Sequence, residues 1–201
     1  MYKETAERVS LDPANNYILQ RSIKAYLEAA NIVNGKVLEL GTGSGYGIEV
    51  IAPKSEKFVT VDKFRCEAIE NLSPDSNVEF LQMTFPPLTD IEDNSFDFVI
   101  SFQVIEHIED DNEFVKEIGR VLKKGGKFIC TTPNIAMSLT RNPWHIREYT
   151  IDELDILLKK HFSGVDKKGV FGDEHAMNYY SENKKSVQKI TRFDIFNLQY
   201  K

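Results

Sequence analysis

The stretch Lys36-Val37-Leu38-Glu39-Leu40-Gly41-Thr42-Gly43-Ser44-Gly45-Tyr46-Gly47 decides how the chain is read. Val37, Leu38 and Leu40 mark a short strand, and glycine then recurs at every second position. Glycine is needed where the backbone takes positive φ, or where a ligand must approach it with no Cβ between. A bare strand-to-helix turn needs one or two such residues. Three alternating ones point to a ligand lying against the main chain. Spacing excludes two familiar ligands. A dinucleotide loop, GxGxxG, would require glycine at Tyr46 or Ile48. A phosphate loop, GxxxxGK, fails at Tyr46 and lacks its lysine.

Outward from this loop, strands and helices alternate. A helix is expected over 45–52, a strand over Phe58–Val61 ending at Asp62, and a short helix over 64–72. Strands follow at Val78–Leu81 and Phe96–Phe102, the latter apolar nearly throughout. Phe114, Val115, Ile118, Val121 and Leu122 give one face of a helix over 112–123, which Gly125-Gly126 should stop. Lys127–Thr131 reads as a fifth strand, and Thr150-x-x-Glu153 as the capping box of a helix to about 160. A sixth strand is expected over Val165–Val170, and helix rather than strand beyond Asp173. Upstream, Leu19, Ile23, Tyr26, Leu27 and Ala30 form a helical stripe, with Asp12 and Pro13 at its start and Asn34-Gly35 after its end.

Parallel strands need crossovers of this length, and right-handed crossovers put helices on both sheet faces. The fold expected is therefore α/β, a doubly wound, mostly parallel sheet. Ligands in such sheets bind beyond the carboxyl ends of the strands. That selects the loops after residues 40, 62, 81, 102 and 131. Three parts are expected: a helical segment 1–34 on the acceptor side, an α/β domain 35–172, and a tail 173–201.

Composition narrows the partners. The chain has 201 residues, is 41% hydrophobic and carries a formal net charge of −6, which suits a globular domain and disfavours nucleic acid. Its Lys-Lys pairs at 123–124, 159–160, 167–168 and 184–185 are scattered rather than gathered in a stripe. Cys66 and Cys130 lie in apolar patterns, outside any CxxC or Cys/His cluster, and read as reduced, packed thiols. The first residues lack the apolar core of a signal peptide, and no apolar run is long enough to span a bilayer. A cytoplasmic protein without membrane partner is expected.

The pattern Glu39-Leu40-Gly41-Thr42-Gly43-Ser44-Gly45 resembles the first motif of class I S-adenosylmethionine-dependent methyltransferases. Over about residues 33–172 the resemblance extends to Asp62 at the end of strand two, to F-L-Q-M-T-F-P-P-L at 80–88, to S-F-Q-V-I-E-H-I-E-D at 101–110, and to R-V-L-K-K-G-G-K-F-I at 120–129. It implies a Rossmann-like methyltransferase fold, S-adenosyl-L-methionine as cofactor, and methyl transfer to a small-molecule acceptor. It further implies Glu39, Gly41, Gly43, Gly45, Asp62, Met83, Thr84 and Gln103 as cofactor-binding residues, with Asp62 on the ribose and Gln103 near the methionine portion. Two departures stand out. The adenine loop, Gln82-Met83-Thr84, carries no carboxylate. No seventh strand is evident between 173 and 201 beyond FNLQY at 196–200. Either the chain is cut short or its tail takes another form.

Methyl transfer from a sulfonium needs positioning more than it needs an acid or base. The catalytic candidates are His107, His145 and Arg147, and no metal is expected. The long loop after strand five would meet the acceptor through His145 and Arg147, with Tyr17 closing over it. The competing reading has Trp144 packed, Arg147 paired with Glu148 or Glu153, Glu106 facing solvent, and His107 bonded within the fold. Within the class this loop resembles the small-molecule branch, which includes quinone-biosynthesis-type O- and C-methyltransferases. The alternative function is a non-catalytic S-adenosylmethionine-binding module of the same fold.

Overall fold

The computed structural model describes the backbone of residues 16–139 and 142–192, and within them the side chains of 19–186. Five parallel strands make one sheet in the order β3-β2-β1-β4-β5. They are β1 (Lys36–Leu40), β2 (Lys57–Asp62), β3 (Val78–Gln82), β4 (Phe96–Phe102) and β5 (Leu122–Thr131). The helices are α1 (Asn16–Ala30), α2 (Tyr46–Val50), α3 (Glu67–Glu70), α4 (Asp111–Val121), α5 (Ile151–Lys159) and α6 (Glu174–Arg192). The order reverses between β1 and β4, so the topological switch point lies beside the glycine loop.

Strand alternation sorts the core into two layers. Val37, Phe58, Phe98 and Ile100 turn to one face, where they meet Tyr26 and Ala29 of α1, with Val33, Ile51 and Ala52. Leu38, Leu40, Val59, Val61 and Val99 turn to the other, against α4 and α5. The helix expected to form a separate acceptor-side segment thus contributes to one core layer. An eleven-residue helix such as α4 is marginal alone. Burial of Phe114, Val115, Ile118 and Val121, each contributing about 1.5–3 kcal/mol, holds it on the sheet. Asp110 caps it by accepting from the Glu113 N–H, and Thr150 and Glu153 form the expected capping box on α5.

The sheet departs from expectation in two places. The helix before β5 ends at Val121, four residues ahead of Gly125-Gly126. Leu122 is already extended and pairs with Phe96, while Phe98 pairs with Lys127, so the glycines lie in an irregularity of the strand. Residues 165–170 form no strand: two lysines and a glycine interrupt the valines, and all but Val165 are exposed. Among the described residues the sheet has five strands. Over Glu174–Arg192 the tail is helical, as expected there, and Tyr180 and Lys184 of α6 donate to the carbonyls of Met137 and Ala136. Asp12, Pro13, the Tyr17 side chain and FNLQY lie outside the described residues. No described helix is long and apolar enough to cross a membrane.

Candidate functional site

The loop after β1 is built by three left-handed glycines, with φ of +95° at Gly41, +54° at Gly43 and +91° at Gly45. They face different surroundings. A Cβ on Gly41 would lie 2.5 Å from Cγ2 of Val104, and one on Gly45 would lie 2.6 Å from Cβ of Ala68. Both are close approaches of protein to protein. Among the described residues, a Cβ on Gly43 would meet nothing within 4 Å. Gly43 is the point where the loop presents bare backbone to open space. Its N–H donates to Oδ2 of Asp62 at 3.0 Å, and the Gly41 N–H donates to the Val61 carbonyl at 2.8 Å. The ends of β1 and β2 are thereby tied together.

Glu39 lies beneath the loop and is buried. Its Oε1 accepts from the Tyr26 hydroxyl at 2.9 Å and its Oε2 from the Thr60 hydroxyl at 2.6 Å. Thr60 is in turn 2.7 Å from the Thr42 hydroxyl, so the network reaches the loop itself. Burial pushes the Glu39 carboxyl up to about 7, against the two hydroxyl donors and with a smaller contribution from Asp62. The ordinary value is 4.5, so the folded state holds this proton more tightly than the unfolded chain. The resulting stability is fully present below about pH 4.5 and is lost as pH rises through 7. At roughly 1.4 kcal/mol per pH unit, the loss is about 3 kcal/mol. Glu39→Gln keeps the shape and cannot ionise, and the Thr60 hydroxyl can turn to donate to Thr42. Urea unfolding at pH 5 and 7.5 should show the unaltered chain losing more stability than the variant by that order. Equal losses would sink the assignment.

Asp62 ends β2. Its Oδ2 accepts from Gly43 and its Oδ1 from the Phe64 N–H at 2.9 Å. An ionised carboxylate offers about four acceptor positions, so acceptor capacity remains for a diol. After β3, the Met83 N–H donates to the Asp62 carbonyl at 3.1 Å, and the Met83 side chain packs partly on the core. Thr84 is exposed, and the Gln82 amide is turned to the Lys63 carbonyl. After β4, Gln103 holds φ of +58°, unusual without glycine. Three bonds fix it there: its N–H to the Thr131 carbonyl, its Nε2 to the Thr131 hydroxyl, and its Oε1 accepting from Arg21. Seven of the eight expected cofactor residues therefore line the carboxyl ends of β1–β4, and Glu39 supports the loop from below.

The acceptor-side candidates separate. Glu106 is buried rather than solvent-facing, because the loop after β5 folds over it. Ile146 and Arg147 both donate their N–H groups to the Glu106 carbonyl, and the Thr132 hydroxyl donates to its Oε2 at 3.0 Å. Burial holds the Glu106 carboxyl above its usual range, against the pull of His107 and Thr132. His107 and His145 stack edge to face at 5.0 Å between centroids. The His107 Nδ1 meets the Trp144 carbonyl at 2.9 Å, and the His145 Nδ1 meets Oε1 of Glu148 at 2.7 Å. Arg147 is occupied elsewhere. It pairs with Asp111 at 2.9 Å and Glu153 at 3.6 Å and lies over the Tyr149 ring. Trp144 is 60% exposed and does not pack.

Sequence reasoning missed Arg21, and it gave Thr132, Asn142 and Glu148 no role at the site, although all three lie in the loop it assigned to the acceptor side. Of these, Glu148 stands three residues after His145, a spacing that could have drawn notice. Arg21 and Thr132 become neighbours of the site through strand order, which no local pattern carries.

A profile described as a methyltransferase domain matches residues 38–130. A Mycobacterium tuberculosis protein named "Probable S-adenosylmethionine-dependent methyltransferase" is 36% identical over 175 residues, 83% of this chain and 64% of its own length. The chain thus spans just under two thirds of that relative. A ubiquinone biosynthesis O-methyltransferase of Pseudomonas fluorescens is 28% identical over 120 residues, 58% of this chain and 49% of that protein. Among solved structures, the Burkholderia thailandensis 1,6-didemethyltoxoflavin-N1-methyltransferase, with 1,6-didemethyltoxoflavin and S-adenosylhomocysteine bound, matches with a TM-score of 0.59. Its identity is 19%, over 81% of this chain and 80% of that one.

Proposed function

Because this chain belongs to the class I S-adenosylmethionine-dependent methyltransferases, we propose that it binds S-adenosylmethionine across the ends of β1–β4 and transfers its methyl group to a small-molecule acceptor. One observation carries the cofactor side: the Asp62 carboxylate bonds the Gly43 N–H where the loop presents bare backbone to open space. When bound, the cofactor supplies a methyl group activated by its sulfonium.

The chain's own residues hold and orient. Asp62 takes the ribose hydroxyls on its remaining lone pairs. Gly41, Gly43 and Gly45 let the main chain approach, with Glu39 bracing them through Thr60 and Thr42. Gln103, fixed by Thr131 and Arg21, faces the methionine portion. Met83 and Thr84 border the adenine, with backbone in place of a carboxylate. The acceptor side comprises Glu106, His107 and His145, and Arg147 holds the loop after β5 to α4 and α5. A small acceptor is supported by the printed names of the Pseudomonas and Burkholderia proteins and by the acidic balance of the chain. Residues 35–172 form the cofactor-binding unit, joined to α1 through the core, with α6 bonded to the loop after β5 through Tyr180 and Lys184. Two free cysteines suit a reducing, cytoplasmic setting.

Calorimetry on the full chain tests this with S-adenosylhomocysteine and NADH. S-adenosylhomocysteine should bind and NADH should not. Asp62→Ala should weaken S-adenosylhomocysteine about tenfold or more, the cost of charge-assisted bonds worth roughly 1.5–3 kcal/mol. Tighter binding of NADH would overturn the cofactor assignment.

A further inference from the structure

The acceptor side holds a cluster whose chemistry goes beyond positioning. A carboxylate oxygen of Glu106 and one ring nitrogen each from His107 and His145 lie within 4.8 Å of one another. We propose that these three side chains form a binding site for one divalent transition-metal ion of the zinc type. The ion would join the turn after β4 to the loop after β5.

The hydrogen bonds around the two rings fit ligand preparation. A carbonyl only accepts, so Nδ1 of His107 carries the proton toward Trp144 and the lone pair of the neutral ring sits on Nε2. For His145, the Trp144 N–H donates to Oδ1 of Asn142 at 3.0 Å, which turns the Asn142 Nδ2 toward the ring. That amide donates to Nε2 of His145 at 3.0 Å, so Nε2 holds the lone pair and Nδ1–H points to Glu148. Metal-bound histidines regularly donate their second nitrogen to a carboxylate or a backbone carbonyl, and this site has one of each. Glu148 is itself held by the Ser138 hydroxyl, completing an outer layer.

Charge points the same way. Glu106 is 1% exposed, and among the described residues no lysine or arginine is ion-paired with it. A buried carboxylate without such a partner is costly, and a bound dication offsets that cost. The ligand set selects the class of ion. Two imidazoles and one carboxylate suit zinc, cobalt, nickel or iron, whereas magnesium and calcium prefer oxygen alone. Bond lengths of about 2.0–2.2 Å require the ligand atoms to close to roughly 3.3 Å. Side-chain rotation supplies this movement, with Asn142 giving up its bond to His145.

The test uses the full chain freed of metal by a chelator and titrated with Co²⁺. One equivalent should bind with visible d–d absorption, be displaced by Zn²⁺, and resist excess Mg²⁺. His107→Ala and His145→Ala should each weaken Co²⁺ about 100-fold or more, since loss of an outer partner alone costs 10–100-fold. Far-ultraviolet circular dichroism and cooperative urea unfolding on the same samples report whether each variant is folded. Asn142→Ala removes the competing donor and should bind Co²⁺ at least as tightly as the unaltered chain. Absence of stoichiometric Co²⁺ binding, equal binding by both histidine variants, or weaker binding by Asn142→Ala would overturn the site. These readouts need no acceptor and no turnover, so they fail or succeed independently of the methyl-transfer reading.

Discussion

Gly43→Ala should abolish useful binding of S-adenosylhomocysteine while leaving the protein folded. The three loop glycines make this separation of effects testable. At Gly45 a new Cβ would lie 2.6 Å from Cβ of Ala68, where φ is +91°. Both terms act on the fold, and overpacking with backbone strain should cost about 2–4 kcal/mol. At Gly43 the folding cost is that of the left-handed conformation, about 1–2 kcal/mol, because no atom of the described residues lies within 4 Å of the added methyl. That methyl instead enters the space assigned to the cofactor. A displacement of the ligand that loses two hydrogen bonds would weaken it by some 2–3 kcal/mol, about 30- to 150-fold in Kd. Calorimetry and chemical unfolding on the same two variants should therefore give opposite rankings. Gly43→Ala should be the worse binder and Gly45→Ala the less stable protein. Undiminished binding by Gly43→Ala would mean the cofactor does not lie against that backbone.

The glycine loop was legible in the sequence because it is a local solution to a local problem. Each left-handed position needs glycine, and their spacing is visible without any fold. The strands were legible for a related reason. A parallel sheet covered on both faces buries most side chains of its central strands, so Phe96–Phe102 reads as a nearly continuous apolar run. Where the reading failed, partners distant in sequence had decided. The end of α4 is set by pairing of Leu122 with Phe96, not by the glycines downstream. Glu106 looks like a surface residue in S-F-Q-V-I-E-H-I-E-D, and it is buried because a loop forty residues later bonds its carbonyl. For Arg147 the sequence offered both an acceptor contact and a pairing with Glu148 or Glu153; the structure pairs it with Glu153 and with Asp111, the latter 36 residues away. The acceptor side was hard to read because long-range contacts assemble it, while the cofactor side follows from strand ends.

The same distinction explains Arg120, whose substitution should have the largest effect on stability. It belongs to R-V-L-K-K-G-G-K-F-I, a stretch recognisable by pattern but without an evident reason for its arginine. The structure supplies one. Arg120 pairs with Glu117 through Nε and NH2, each at 2.8 Å, and donates to the carbonyls of Ile91 and Leu88 and to Asp93. Glu117 in turn accepts from the Leu88 N–H at 2.9 Å. One helix end therefore clasps residues 88–93, the connection between the adenine loop and β4, which has no strand or helix of its own. An exposed pair such as Lys24–Glu28 is screened by solvent and contributes little. Arg120 differs because its side chain is 29% exposed and its loss leaves Glu117 without its cation and takes a donor from the Leu88 and Ile91 carbonyls. Arg120→Ala should cost about 3 kcal/mol by urea unfolding. Lysine cannot reproduce the guanidinium fork, so Arg120→Lys should recover less than half of that. A loss below about 1 kcal/mol for Arg120→Ala would place the clasp among surface pairs, and the segment would have to be held by Leu88 and Ile91 in the core alone.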